Sequence, residues 1–181
     1  MPTYVALLRG VNVGGAKRVP MADLKRLLSG LGFNSVATLL NSGNAVFNAP
    51  SASCSKHAAS IADAIQRALS LQVPVVVKSA RELGAILAEN PFASGVPDPS
   101  RLLVAFAVDK ATLARLAAWS ALVVPPEQFH VGKLAAYLHC PAGILQSQVG
   151  EALLGKVGQG VTTRNWATVQ KLHALASKGD A

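Results

Sequence analysis

The segment RGVNVGGAKR, residues 9–18, holds the residue types and spacing best suited to binding chemistry. Gly10, Gly14 and Gly15 reach positive φ at little cost and let a ligand approach the backbone, so consecutive amides can cradle an oxyanion. Arg9, Lys17 and Arg18 bias the loop toward anions, and Asn12 can donate or accept a hydrogen bond. The segment is not a GxGxxG fingerprint and no ribose-binding acid follows it, which disfavours a dinucleotide site. A glycine-built turn with solvated cations is the competing reading.

Two further segments could share such a site. Asn41-Ser42-Gly43-Asn44 suits a tight hairpin, because Gly and Asn tolerate positive φ, and no base in sequence marks Ser42 as a nucleophile. TTRNW, residues 162–166, is expected to open the last helix, with Thr162 or Thr163 capping its free amides. Arg164 is then unfavourably placed at the positive end of a helix dipole unless it faces a bound anion. The candidate ligand-binding set is therefore Arg9, Asn12, Gly14, Gly15, Lys17, Ser42, Asn44, Arg164 and Asn165.

Composition sharpens this reading and removes others. Seventeen Lys and Arg against nine Asp and Glu in 181 residues give a net charge of +8, which favours anionic partners. Asp23 is the only acid among the first sixty residues, and none lies between Glu151 and Asp180. Carboxylate acid-base pairs and oxygen-rich cation sites thus lack material at both ends. The cations are scattered, so neither a basic tail nor a polybasic membrane patch is expected. Aromatics are 5%, few for stacking bases.

The spacing GEALLGK at 150–156 matches a P-loop, but Val157 replaces the magnesium-holding Ser or Thr and residues 151–154 read as helix. His57, His130, His139 and His173 have no zinc spacing, so no metal site is expected. Cys54 and Cys140 stand alone, without CxxC spacing, as idle thiols of a cytoplasmic protein. No nucleophile with its base and no cofactor signature can be named, and whether the chain is an enzyme stays open.

The elements that must position these groups follow from periodicity. Tyr4 to Leu8 reads as a buried strand, and Met21 to Leu31 as a helix entered through Pro20. Val36 to Leu40 and Ala45 to Phe47 form a hairpin, Ala58 to Leu69 a helix, and Pro74 to Lys78 a strand. This order is the split βαβ, or ferredoxin-like, arrangement. A connecting helix from Ser79 to Glu89 leads to a second series: a strand from Leu102 to Val108, a helix from Ala111 to Trp119, a hairpin over 128–138 and a helix from Leu145 to Leu154. A closing helix from Arg164 to Ala176 ends it.

The expected class is therefore α+β, with two ferredoxin-like subdomains carrying antiparallel sheets. Their expected extents are residues 1–79 and 80–181, packed together as one compact unit.

Four segments carry a resemblance: YVALLRGVNVGGAKRVPMADL at 4–24, GFNSVATLLNSGNAVF at 32–47, ENPF at 89–92 and TTRNWATVQKL at 162–172. With these the chain resembles the bacterial family of domain of unknown function 1697. The resemblance implies two ferredoxin-like subdomains and no established activity. It marks Arg9, Gly10, Asn12, Gly14, Gly15, Lys17, Ser42, Gly43, Asn44, Arg164, Asn165 and Trp166 as motif positions. Relatives tend to have GxxxSKL where this chain has GILQSQV, so Gln148 replaces a lysine.

The reading that results is a small anionic or phosphorylated ligand bound where the three segments converge, with no cofactor assigned. The alternatives are sequence-independent nucleic-acid binding across a basic surface, or an interaction module without a ligand. No membrane association is expected.

Overall fold

Tyr4, Ala6 and Leu8 alternate with Val5 and Leu7 along the first strand, and all five are buried. A strand apolar on both faces belongs in the middle of a covered sheet. In the computed structural model, which describes residues 1–15 and 17–178, it does. Strand β1 (Thr3–Leu8) lies between β3 (Asn44–Asn48) and β4 (Val75–Ser79), antiparallel to both, and β2 (Asn34–Leu39) pairs with the far edge of β3. The order is β2-β3-β1-β4.

Helices α1 (Met21–Gly30) and α2 (Cys54–Leu69) cover one face of this sheet. Leu24, Leu28, Ile61 and Ile65 meet Tyr4, Ala6, Leu8, Phe47 and Val77 there. Phe33 stacks on Phe47 with ring centroids 4.6 Å apart, and the His57 ring meets the edge of Tyr4 at 4.5 Å. His57 is thus a core residue, with its Nε2 3.2 Å from the Pro50 carbonyl oxygen.

The second series repeats the pattern. Strand β5 (Leu102–Ala107) lies between β7 (Ala136–His139) and β8 (Val161–Asn165), with β6 (Gln128–Val131) outside β7. The order β6-β7-β5-β8 is that of the first sheet. Helix α4 (Lys110–Arg115) and helix α5 (Gln148–Leu154) bury Leu113, Val149 and Leu153 against Leu103, Ala105 and Leu138. Helix α3 (Ala80–Glu89) joins the two series, and α6 (Trp166–Ser177) closes the chain. Both are βαββαβ units with four-stranded antiparallel sheets, the ferredoxin-like arrangement read from the sequence. Among the described residues no helix is long and apolar enough to cross a membrane.

Three sequence expectations change. Residues 162–165 are not the start of the last helix but strand β8: Thr162 pairs with Phe106, Thr163 with Ala105 and Arg164 with Val104. The helix begins at Trp166, and Asn165 rather than a threonine caps it, its Oδ1 accepting from Thr168 N at 2.9 Å. Helix α4 stops at Arg115 and continues as a 3₁₀ turn over Leu116–Leu122. The helix expected from Leu145 is a 3₁₀ turn, Ile144–Gln146, followed by α5, which Ser147 caps by accepting from Gly150 N.

By density of contacts the chain divides into residues 1–83 with the segment from Leu172 onward, and residues 84–171. The divisions fall inside α3 and α6.

Candidate functional site

The glycine loop joins β1 to α1, over residues 9–20. Its shape comes from Asn12, which takes a left-handed φ of 57° and closes the loop on itself. Asn12 N donates to the Lys17 carbonyl at 2.9 Å. The Asn12 side chain accepts from Val19 N at 2.9 Å and donates to the carbonyls of Val19 at 2.9 Å and Asn41 at 2.7 Å. Its amide is committed to building the loop.

Gly14 and Gly15, at φ of 62° and 76°, lie beyond this clamp, and a Cβ on either would meet nothing within 4 Å. Glycine is favoured there by backbone angle alone, and both residues are exposed. No described residue accepts a hydrogen bond from either amide.

The cations differ in situation. Arg9 is half-buried, its backbone N donates to the Pro74 carbonyl at 2.9 Å, and burial lowers its guanidinium pKa. Lys17 is half-buried and Nζ donates to the Gln72 carbonyl at 2.6 Å. Arg18 is exposed, as is Val13 at the loop tip, at 67%. A cleft of about 400 Å³ opens beside Lys17, against Gln66 and Asp63 of α2 and the 72–74 segment. Asp63 opposes an anion inside that cleft, so the cationic character belongs to the loop.

The hairpin turn between β2 and β3 stands against the loop. Leu8 N donates to the Gly43 carbonyl at 2.8 Å, and a Cβ at Gly43 would lie 2.6 Å from Leu8 Cβ and 2.7 Å from Val11 Cγ2. Asn44, fully buried, donates to the Leu39 carbonyl at 3.0 Å and to Ser42 Oγ at 2.9 Å. Leu40 takes a left-handed φ of 58° although it is neither Gly nor Asn, and it is 55% exposed. Strained backbone of this kind concentrates at binding loops. The structure therefore brings Arg9, Asn12, Gly14, Gly15, Lys17, Ser42 and Asn44 into one first-unit cluster, joined through the Asn12–Asn41 contact.

Arg164 and Asn165 belong to the second unit. Arg164 is 8% exposed, and its Nη1 donates to Thr162 Oγ1 at 2.8 Å and to the Thr163 carbonyl at 2.7 Å. Burial brings its pKa down to about 10, which leaves it charged at neutral pH.

The thiols are not poised for nucleophilic chemistry. Cys54 is the first residue of α2, where a helix dipole ordinarily favours thiolate. Burial, and then the Glu82 carboxylate that accepts from its Sγ at 3.3 Å, instead push it up to about 11. Burial raises Glu82 too, but hydrogen bonds from Ser79 and Cys54 outweigh this and hold it below the usual value. Ser79 and Glu82 form a reciprocal capping box, Glu82 N to Ser79 Oγ at 3.1 Å and Ser79 N to Glu82 Oε2 at 2.8 Å. Burial, then Glu127, raises Cys140.

The network that sequence reasoning missed centres on Glu89. Its carboxylate accepts from the backbone of Lys133 and Leu134 in the β6–β7 turn, and from Tyr137 Oη at 3.0 Å. The fully buried Tyr137 also lies 2.7 Å from the Ile86 carbonyl oxygen, which shares its proton. Its only sequence trace was the ENPF segment, which names residues without a partner.

The family described as Protein of unknown function (DUF1697) matches residues 1–137. Among solved structures, a conserved bacterial protein from Streptococcus pneumoniae is similar, with 24% identity, a TM-score of 0.75, and coverage of 97% of this chain and 98% of that one. At that identity the likeness establishes the fold. No curated protein matches.

Proposed function

The chain belongs to the DUF1697 family, and from that premise we propose that its first unit binds a small anionic or phosphorylated ligand on the glycine loop. The amides of Gly14 and Gly15 donate to the anion, Lys17 and Arg18 supply charge, and Arg9 contributes from beneath. Asn12 holds the loop, with the Ser42–Asn44 turn as its back wall. The observation that carries this reading is a loop closed by one side chain, with two exposed glycines at positive φ and no acid among its residues. Successive amides of this kind form anion-binding concavities.

Isothermal titration of the full chain with inorganic phosphate and pyrophosphate tests it. Binding is expected, weakened about tenfold by Lys17→Ala or Arg18→Ala, each removing one charge-assisted contact. Asn12→Ala is expected to abolish it while the far-UV spectrum stays native. Absence of binding by either anion, or affinity unchanged in all three variants, overturns the reading. Repetition across a salt series separates it from phosphate-backbone recognition of nucleic acid, in which an oligonucleotide binds and its affinity falls steeply with salt.

A further inference from the structure

The second unit carries a cleft of about 380 Å³, within the size range of small-molecule sites. It lies between α4 with its 3₁₀ extension and the segment that enters β8. One part of its lining is apolar: the half-buried Trp119, the buried Leu116 and the exposed Val157. The other is polar, formed by Arg115, Gln159 and the Gly160 backbone.

Glycines shape this cleft. A Cβ at Gly160 would stand 3.0 Å from Thr112 Cγ2 and 3.3 Å from Val108 Cγ2, and one at Gly158 would collide with the Leu153 carbonyl oxygen. The chain can therefore pass closely over α5 at Gly158 and over α4 at Gly160, whose carbonyl accepts from Val108 N at 2.9 Å. Arg115 is held in place, its Nη2 donating to Thr112 Oγ1 at 3.1 Å. Among the described residues no carboxylate lies within ion-pair distance of it. The nearby Asp109 is committed to Thr112 N at 2.7 Å.

A cleft lined by both an indole and a guanidinium without an ion-pair partner matches a ligand with a flat apolar body and an anionic edge. We propose that this cleft is a second binding site, for a planar aromatic carboxylate, with Trp119 stacking on the ring and Arg115 pairing with the carboxylate. Gln159 supplies a hydrogen bond at the ring edge. Nothing in this site depends on the glycine loop.

The probe is indole-3-carboxylate, titrated into the isotopically labelled full chain and followed by amide and indole NMR shifts. Shifts are expected at Thr112, Gln159, Gly160 and the Trp119 indole, saturating together. Arg115→Gln, at an exposed position, is expected to weaken binding about tenfold with an otherwise native spectrum, as is replacing the probe by uncharged indole-3-methanol. Trp119→Leu is expected to weaken both probes alike. No shift at these positions, shifts confined to residues 9–18, or an affinity unchanged in Arg115→Gln overturns the proposal.

Discussion

Two units of equal topology differ at the same two places. In the first, residues 9–20 separate β1 from α1, and α1 begins at Met21 with Pro20 before it and no side-chain cap. In the second, only Val108 and Asp109 separate β5 from α4, and the Asp109 carboxylate caps the helix through Thr112 N. The hairpins differ in the same sense. The β6–β7 turn is braced by the Glu89 carboxylate, whereas the β2–β3 turn is braced without an acid, by the Asn12 and Asn44 side-chain amides and by Gly43 packed on Leu8 and Val11. The second unit satisfies its exposed amides with its own acids. The first has an acid-free loop there, which is why an external anion is proposed at that loop and not at the Val108–Asp109 connection.

The comparison breaks most readily at Gly43. Gly43→Ala combines a side chain at φ of +81° with contact on Leu8 and Val11, and is expected to cost about 3 kcal/mol in urea unfolding. Lys133→Ala, in the corresponding turn, retains the amide that Glu89 accepts from and is expected to stay within about 0.5 kcal/mol. If the two variants cost the same, the turns are not held by different means.

Glu89→Ala is next, at about 2 kcal/mol, because it removes an acceptor shared by Tyr137 and two turn amides. Loss of protection from hydrogen exchange at the amides of Lys133 and Leu134, with the β2–β3 turn unchanged, would locate the effect. Asp109→Ala is expected to lower the thermal midpoint by less than Glu89→Ala, since one exposed cap is lost. If Asp109→Ala gains an affinity for phosphate that the parent unit lacks, the idea that an acid occupies this position sharpens considerably.

The smallest effect concerns Cys54. Its pKa is raised in the folded protein from 9.0 to about 11, so the folded state favours the neutral thiol. That contribution is complete below pH 9 and is lost as pH rises toward about 11. The difference in urea midpoint between parent and Cys54→Ala should shrink across this window. Thiol labelling at pH 8 should be slower than for free cysteine, through a thiolate fraction reduced about a hundredfold.

The sequence disclosed the first unit almost entirely. Alternation in β1, the stripe of α2 and the Asn41–Asn44 turn are local signals, and they sit where periodicity put them. The connecting helix up to Glu89 was legible as well. Strand β8 was hidden, since Thr162, Thr163, Arg164 and Asn165 are polar and an apolar helical stripe begins directly after them. What buries Thr162 and Arg164 is pairing with β5, far away in sequence. The loop residues are neighbours in sequence and so easily grouped, yet the direction of the Asn12 amide depends on Val19 and Asn41, which no spacing rule connects.

One consequence of the Asn12 clamp concerns motion. Val19 is fully buried, and among the described residues its amide proton is held by the Asn12 side chain. Its exchange with solvent therefore times the rotation of that side chain rather than the opening of any helix or sheet. A single amide becomes a clock for how often the loop unlatches, separable from the slower exchange of the neighbouring strand β1.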